Sequence, residues 1–189
     1  MSDLEDIIED VKVELADVIH QKKAAFTIKG LTPLNIITFQ FRQLIYNLIS
    51  NSLKFSIPEI PLEIEIQSVI IKNDQFRQLN IPNAPQTGDY WNFTFRDNGI
   101  GFDAQYNQNI FVIFQRLHHA EEYAGTGIGL AIVKKIVENH NGIIIADGSL
   151  NNGVIFNIYI PVAENAVHLK SAKQNPILNG NQQSMLQMY

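Results

Sequence analysis

Three polar residues with helical spacing are the first candidates for chemistry. Asn47, Asn51 and Lys54 stand at positions i, i+4 and i+7 of a segment, residues 39–54, whose apolar residues recur with the period of an α-helix. This spacing places the three side chains in one stripe at the edge of the apolar face. Amide oxygens are uncharged ligands suited to Mg2+ beside phosphate, and a lysine supplies a positive charge for phosphate. The alternative is a helix whose amide side chains only cap a neighbouring loop.

A second candidate is a carboxylate at the end of a predicted strand. Asp97 continues the inward-facing register of three aromatic residues, Trp91, Phe93 and Phe95. A buried charge is costly unless hydrogen-bond donors satisfy it, and an adenine amino group, with a bridging water, is one such donor. Gly99 and Gly101 follow, and glycine lets the backbone pass close to a flat ring. The sequence Asp-Asn-Gly is equally typical of a turn that ends a strand.

A glycine-rich turn directly precedes a predicted helix, residues 127–140. The turn consists of Gly125, Thr126, Gly127, Ile128, Gly129 and Leu130. N–H groups in the first turn of a helix lack partners within the helix and can therefore face phosphate oxygens. The turn is not a Rossmann fingerprint, because no strand leads into it and its third glycine comes one residue early. Nor is it a P-loop, because no Gly-Lys-Ser/Thr follows. A glycine hinge without a ligand is the alternative.

Two phenylalanines precede this turn in a predicted short helix, residues 107–115. Phe111 and Phe114 either anchor a nucleotide lid or pack that helix against the core, and packing is the more common role for a pair at i and i+3. The segment 116–125 after them is polar and is predicted to be a loop. Its two histidines, His118 and His119, are expected to be solvated, because a metal site needs a further ligand that the sequence does not place beside them.

Length and composition limit the classes of protein. The 189 residues fit one domain, predicted to span residues 1–163, while residues 164–189 lack periodicity and are expected to be a flexible tail or linker. The net charge of -5 opposes a surface for nucleic acid or anionic membranes, and the absence of cysteine excludes disulfides and thiolate chemistry. No apolar run reaches the roughly 18 residues of a membrane span, and the acidic start is unlike a signal peptide. We therefore expect a soluble, cytoplasmic domain, whose parent protein is either soluble or anchored in a membrane.

A frame of helices and strands must bring the candidate residues together. The apolar period predicts helices at residues 2–23, 39–54, 107–115 and 127–140, the first of them opened by a capping box from Ser2 to Glu5. Alternation and turn residues predict strands at 25–29, 34–38, 61–73, 89–96, 143–147 and 154–161, with a long hairpin loop at 73–88. The predicted fold class is α+β, with about three longer helices on one face of a mixed sheet.

In this order the motifs resemble the four sequence boxes of the catalytic and ATP-binding domain of sensor histidine kinases, within the superfamily of gyrase, Hsp90 and MutL ATPases. Residues 47–56 resemble its N box, 97–101 its G1 box, 110–117 its F box and 125–135 its G2 box. The resemblance covers roughly residues 4–161, and the segment 114–130 is especially similar to phytochrome-type and hybrid kinases.

The resemblance implies a two-layer α/β sandwich of the Bergerat type with a mostly antiparallel sheet. It also implies binding of ATP with Mg2+ and transfer of the γ-phosphoryl group to a histidine. By this similarity Asn51 holds the metal, while Asn47 and Lys54 lie near the phosphates, so that these three residues carry catalysis.

The remaining boxes imply how the nucleotide is recognised and covered. By similarity Asp97, with Gly99 and Gly101, recognises adenine. The turn from Gly125 to Leu130 covers the triphosphate. Arg116 and Tyr123 are further candidates for the lid.

The residue at position 47 favours a kinase over a hydrolase. Gyrase-type ATPases place a glutamate there as the general base for water, whereas the amide of Asn47 cannot usefully accept that proton at neutral pH. Phosphoryl transfer depends mainly on positioning and charge stabilisation, so such a site can hold ATP for a better-placed histidine. A hydrolytic relative and a nucleotide-binding module without catalysis are the two competing interpretations.

The phosphoacceptor of this family is a histidine followed by an acidic residue. The chain has five histidines, none of them followed by Asp or Glu: His20, His118, His119, His140 and His168. We therefore expect the acceptor to lie on a dimerisation domain outside this chain, and we expect no autophosphorylation by the chain alone. The expected assembly is a monomeric isolated domain, a homodimeric parent kinase and, indirectly, a response regulator, with no nucleic acid and no membrane contact.

Overall fold

The computed structural model describes residues 4–82, 84, 88–107, 109–112 and 127–162, and every element below lies within these ranges. The helices are α1 (Leu4–Glu14), α2 (Ala16–Gln21), α3 (Thr38–Lys54), α4 (Asn73–Gln78) and α5 (Gly129–Asn139). The strands are β1 (Ala25–Lys29), β2 (Glu63–Ile71), β3 (Tyr90–Asp97), β4 (Ile143–Gly148) and β5 (Val154–Pro161). Two short 3-10 turns, Ala104–Tyr106 and Asn109–Phe111, follow β3.

The strands form one sheet in the order β1-β2-β3-β5-β4. β1 runs parallel to β2, and the other three neighbouring pairs are antiparallel. Along β3 the side chains of Trp91, Phe93 and Phe95 are buried on one face, as the alternating sequence predicts. The predicted mixed, mostly antiparallel sheet is confirmed.

Three helices cover one face of this sheet. α3 lies against both α1 and α5, and its apolar side packs on the buried face of the strands. Leu44, Ile45 and Leu48 of α3 are buried, and each such side chain contributes about 1.5–3 kcal/mol to folding. The predicted two-layer arrangement with about three helices on one face is confirmed. Because the apolar side of α3 is fixed in the core, its polar stripe is fixed at the edge.

The opposite face of the sheet carries a helix where the sequence analysis predicted a loop. α4 lies within residues 73–88, and its Phe76 is buried against Tyr90 and Tyr159, with the rings of Phe76 and Tyr90 stacked at 3.7 Å between centroids. Lys72 and Asp89 join the two ends of the insertion through a 2.7 Å ion pair. The loop prediction was wrong because a single apolar anchor in a polar stretch leaves no periodic signal. Residues 83 and 85–87 lie outside the described part.

Two predictions for the first forty residues were also wrong. The predicted first helix is interrupted at Leu15 and forms two helices: α1 buries a face against α3, whereas α2 has no fully buried side chain. Residues 34–37 form no strand. The N–H of Ile37 donates to Nε2 of His140 at 3.1 Å instead of to a neighbouring strand, and α3 begins at Thr38. The proposed capping residue Ser2 lies outside the described residues.

The predicted short helix at 107–115 is replaced, in its described part, by the 3-10 turn Asn109–Phe111. Phe111 is buried, and its ring lies 6.4 Å from that of Phe156, so Phe111 packs on the core. Residues 108 and 113–115, including Phe114, are outside the described part.

Candidate functional site

The polar stripe of α3 lies beside the start of α5. Asn47 is buried and Asn51 is half-buried. A Cβ atom placed on Gly129, the first residue of α5, would lie 3.5 Å from Oδ1 of Asn47 and 3.8 Å from Nδ2 of Asn51. The structure thus brings together the two asparagines and a helix N-terminus whose first N–H groups have no partners within the helix.

The side-chain amide of Asn47 is incompletely satisfied. Its Nδ2 is buried without a hydrogen-bond partner among the described residues. A buried amide in this condition costs about 1–3 kcal/mol, and proteins rarely retain one without a reason. The amide lies next to the helix N-terminus, so a ligand bound at that N-terminus would be placed to satisfy it.

Lys54 lies at the end of the stripe. Its Nζ is 4.4 Å from the centroid of the Phe55 ring, which is a cation-π distance, and its side chain is half-buried. The lysine is on the same side of α3 as the asparagines, as predicted from the spacing.

Asp97 is a buried carboxylate held by several donors. The hydroxyl of Ser52 donates to Oδ2 at 2.6 Å, the N–H of Gly99 donates to Oδ1 at 2.9 Å, and the backbone N–H of Val154 also donates to the carboxylate. Burial raises the pKa of Asp97, and these three hydrogen bonds lower it only in part. The predicted inward orientation of Asp97, in register with the three aromatic residues, is confirmed: 7% of the residue is exposed.

The backbone after Asp97 is enclosed on two sides. The N–H of Ile100 donates to the carbonyl of Phe55 at the end of α3, and the carbonyl of Ile100 accepts from Asn151 in the β4–β5 turn. Gly101 has a φ of +58°, and a Cβ there would lie 2.0 Å from the carbonyl oxygen of Ser149. The position thus excludes any residue but glycine, and the close approach fixes the loop beneath Asp97.

The glycine turn before α5 is described only from Gly127 onward. Gly127 has a φ of +69°, Ile128 is the N-cap of α5, and Leu130 packs partly against the core. Four predicted site residues lie outside the described residues: Arg116, Tyr123, Gly125 and Thr126. The loop histidines His118 and His119 lie there too, as does the predicted tail at 164–189.

Sequence reasoning missed Ser52. The helical period of residues 39–54 places Ser52 on the apolar side of α3, and in the structure Ser52 is buried. A hydroxyl on a core-facing position needs a partner, and this requirement was the signal that pointed to a polar contact with the sheet. Asn98 was missed as well: its side chain accepts from the N–H of Glu63 and donates to the carbonyl of Pro61, which ties the loop to β2.

Two further observations limit what the described residues can do. No group of three or more His, Asp or Glu side chains among them is arranged to hold a metal ion. None of the helices in the described ranges has the length and apolar character needed to cross a lipid bilayer.

The sequence is similar to known proteins over most of the described part. Residues 38–164 match the sequence model of the family described as histidine kinase-, DNA gyrase B- and HSP90-like ATPase. Cyanobacterial phytochrome A of Nostoc sp. is 46% identical over 123 residues, which are 65% of this chain and 14% of that protein. Phytochrome-like protein Cph1 of Synechocystis sp. is 34% identical over 161 residues, which are 85% of this chain and 19% of that protein. The chain thus spans less than a fifth of the length of either relative.

The fold is also found among solved structures. The crystal structure of full-length ShkA in complex with AMPPNP matches with a TM-score of 0.63 and 22% sequence identity, over 86% of this chain and 30% of the ShkA chain. At this identity the likeness concerns the fold, which is the two-layer sandwich expected from the sequence.

Proposed function

Because the chain belongs to the family of histidine kinase-, DNA gyrase B- and HSP90-like ATPases, we propose that it binds Mg-ATP between α3, the end of β3 and the start of α5. Membership of this family confirms the resemblance drawn from the four motifs. We further propose that the bound ATP donates its γ-phosphoryl group to a histidine. The observation that carries the proposal is the buried Asp97 carboxylate, held by Ser52 and Gly99 beside the asparagine stripe.

The residues present fit a nucleotide with a metal ion. At one end of the proposed site Asp97 is a buried hydrogen-bond acceptor, suited to an exocyclic amino group. At the other end, the orphaned Asn47 amide and the half-buried Asn51 flank the α5 N-terminus, where phosphate is favoured. Mg2+, when bound, would supply positive charge that stabilises the negative charge of the phosphates. Asn51 would hold it, with Asn47 and Lys54 near the phosphates.

Kinase chemistry is proposed over hydrolysis because of the side chain at position 47. Asn47 is 9% exposed and carries an amide, which cannot act as a general base for water at neutral pH. The chain's own residues would bind and orient the nucleotide, and the attacking group would come from outside the site. A histidine held in line with the γ-phosphate meets that need.

The proposed partner is a dimerisation domain that carries the phosphoacceptor histidine. The relatives are five to seven times longer than the matched segment, since this chain spans 14% and 19% of them. Within the described part, His20 is exposed on α2, and His140 has both ring nitrogens engaged, so neither stands at the site. We propose that residues 1–163 form the catalytic domain of such a kinase, located in the cytoplasm, and that a response regulator receives the phosphoryl group afterwards.

Calorimetric titration with Mg-ATP tests the binding step. The wild-type chain is expected to bind Mg-ATP more tightly than ATP in EDTA, and Asn51→Ala is expected to lose about tenfold in affinity for Mg-ATP, the worth of one metal-linked polar contact. The matched control is Gln43→Ala, which removes an exposed amide from the same helix and should leave binding unchanged. Absence of Mg-ATP binding by the wild-type chain would overturn the proposal.

A further inference from the structure

The hydroxyl of Ser52 occupies an unusual place for a side chain on the core-facing side of α3. Ser52 is 2% exposed, and its Oγ lies 2.6 Å from Oδ2 of Asp97 and 3.2 Å from the carbonyl oxygen of Leu48. A serine hydroxyl has one proton to donate. The shorter distance and the charged acceptor assign that proton to Asp97, since hydrogen bonds to ions are shorter and stronger than those to neutral groups.

This contact completes a set of donors that fixes the orientation of the carboxylate. Oδ1 accepts from the N–H of Gly99 at 2.9 Å, and Oδ2 accepts from Ser52. The backbone N–H of Val154 is a third donor to the carboxylate. Because the three donors come from different parts of the chain, the carboxyl plane cannot rotate without breaking at least one of these hydrogen bonds. The two carboxylate oxygens have about four acceptor positions in total. Because the protein's own donors occupy some of them, a ligand donor can approach the carboxylate from only a few directions.

We propose that Ser52 is a positioning residue that sets base selectivity, by holding Asp97 as an oriented, acceptor-only carboxylate that takes a 6-aminopurine and rejects a 6-oxopurine. This inference rests on the proposed nucleotide site. An amino group at position 6 donates to the carboxylate, whereas an oxo group presents a second acceptor to it and is repelled. The discrimination lasts only while the carboxylate remains ionised and in place.

Removal of the Ser52 hydroxyl affects both the ionisation and the orientation of the Asp97 carboxylate. Burial already raises the pKa of Asp97, and the Ser52 hydrogen bond is the largest contribution that lowers it. Without that bond the neutral carboxyl becomes more populated, and a neutral carboxyl can donate its proton to a 6-oxo group. The carboxyl group also loses one of its three donors, so only the N–H groups of Gly99 and Val154 still hold its orientation. Both effects weaken the binding of ATP and favour the binding of inosine triphosphate (ITP). They therefore lower the preference of the site for ATP over ITP.

The test compares the dissociation constants of ATP and ITP, each with Mg2+, by calorimetry. The variants are Ser52→Ala, Ser52→Thr and, as a matched control, Ser68→Ala. Ser68 is 4% exposed, and its hydroxyl bonds to the backbone of Thr32 away from the site. Ser52→Ala is expected to reduce the ATP-to-ITP preference about tenfold, the worth of one hydrogen bond to a charged group. Ser52→Thr, which keeps a hydroxyl, is expected to restore most of it.

The preference is a ratio of two constants measured on one preparation, so partial unfolding of a variant cancels out of it. The proposal is overturned if Ser52→Ala keeps the wild-type preference, or if Ser68→Ala loses as much. Failure of the wild-type chain to bind either nucleotide would be a failure of the proposed function and would remove this inference with it. Tight binding of ATP with no preference over ITP would overturn the inference alone.

Discussion

Replacement of Asp97 by asparagine should separate the stability of this domain from its affinity for ATP. Burial raises the pKa of Asp97 above the value in the unfolded chain, so the folded state binds more protons between those two pKa values. The free energy of unfolding therefore falls as the pH rises through that interval, and the ionised carboxylate costs stability at neutral pH. Asp97→Asn removes the charge and keeps the shape.

The hydrogen bonds that join position 97 to Gly99 and Ser52 can survive this change. The amide oxygen would accept from the N–H of Gly99, now at 2.9 Å, and the amide nitrogen would donate to Oγ of Ser52. Ser52 would then turn its own proton to the carbonyl of Leu48, 3.2 Å away. We expect a gain on the order of 1 kcal/mol, because a neutral amide costs less to bury than an ionised carboxylate. For a domain of this length that gain corresponds to a rise of about 2–4 °C in Tm.

The same change should weaken the affinity for ATP by on the order of 100-fold. A charge-assisted hydrogen bond to adenine, of about 1.5–3 kcal/mol, is lost, and an N–H group of the new amide can face the adenine amino group. Thermal unfolding of the nucleotide-free protein and calorimetric titration with Mg-ATP measure the two effects. Asp147→Asn is the control, since Asp147 is an exposed strand residue and should change neither quantity. A variant that binds ATP as tightly as the wild type, or that loses more than about 1 kcal/mol of stability, would refute the reasoning.

Three further predictions concern the frame of the site. Phe76→Ala should lower the free energy of unfolding by about 3–4 kcal/mol in chemical denaturation, since it removes the ring stacked on Tyr90, yet leave the Mg-ATP affinity within about twofold because α4 lies on the far face of the sheet. Gly101→Ala should destabilise the fold by at least about 2 kcal/mol and abolish ATP binding, because its Cβ would clash with the carbonyl of Ser149. The control is Gly88→Ala, which also has a positive φ but has open space around it. It should cost about 1 kcal/mol in the same denaturation assay. His140→Phe should cost about 0.5–1.5 kcal/mol, measured by thermal unfolding, because the exposed hydrogen bond from the N–H of Ile37 is lost while the ring contact with Phe41 is kept. Unchanged unfolding in any of the three would contradict the corresponding contact.

The parts of the fold that could be predicted from the sequence are those with a repeated signal. The helical period of α3 and the alternation of β3 each extend over several turns or residues, so they fixed both the element and the side that faces the core. Asp97 and the α3 stripe followed from that register. The four motifs then gave the family, which the sequence match confirmed.

What could not be predicted depends on single contacts between distant residues. α4 exists because Phe76 finds Tyr90 and Tyr159 across the sheet, and one residue has no period. Residues 34–37 are mostly apolar, as in a strand, but the backbone N–H of Ile37 bonds to a histidine 103 positions away. The hydrogen bond between Ser52 and Asp97 joins residues 45 positions apart. The one sequence signal for it was a hydroxyl residue on the apolar side of a predicted helix.

The central claim is that this site transfers phosphate to a histidine instead of to water. Its most direct test is incubation of the chain with Mg2+, ATP labelled at the γ-phosphate and the cognate dimerisation domain that carries the acceptor histidine. Acid-labile label should appear on that domain, and it should disappear when the acceptor histidine is replaced by glutamine or when Asp97→Asn is used. Release of labelled phosphate into solution without label on the acceptor domain would contradict the account.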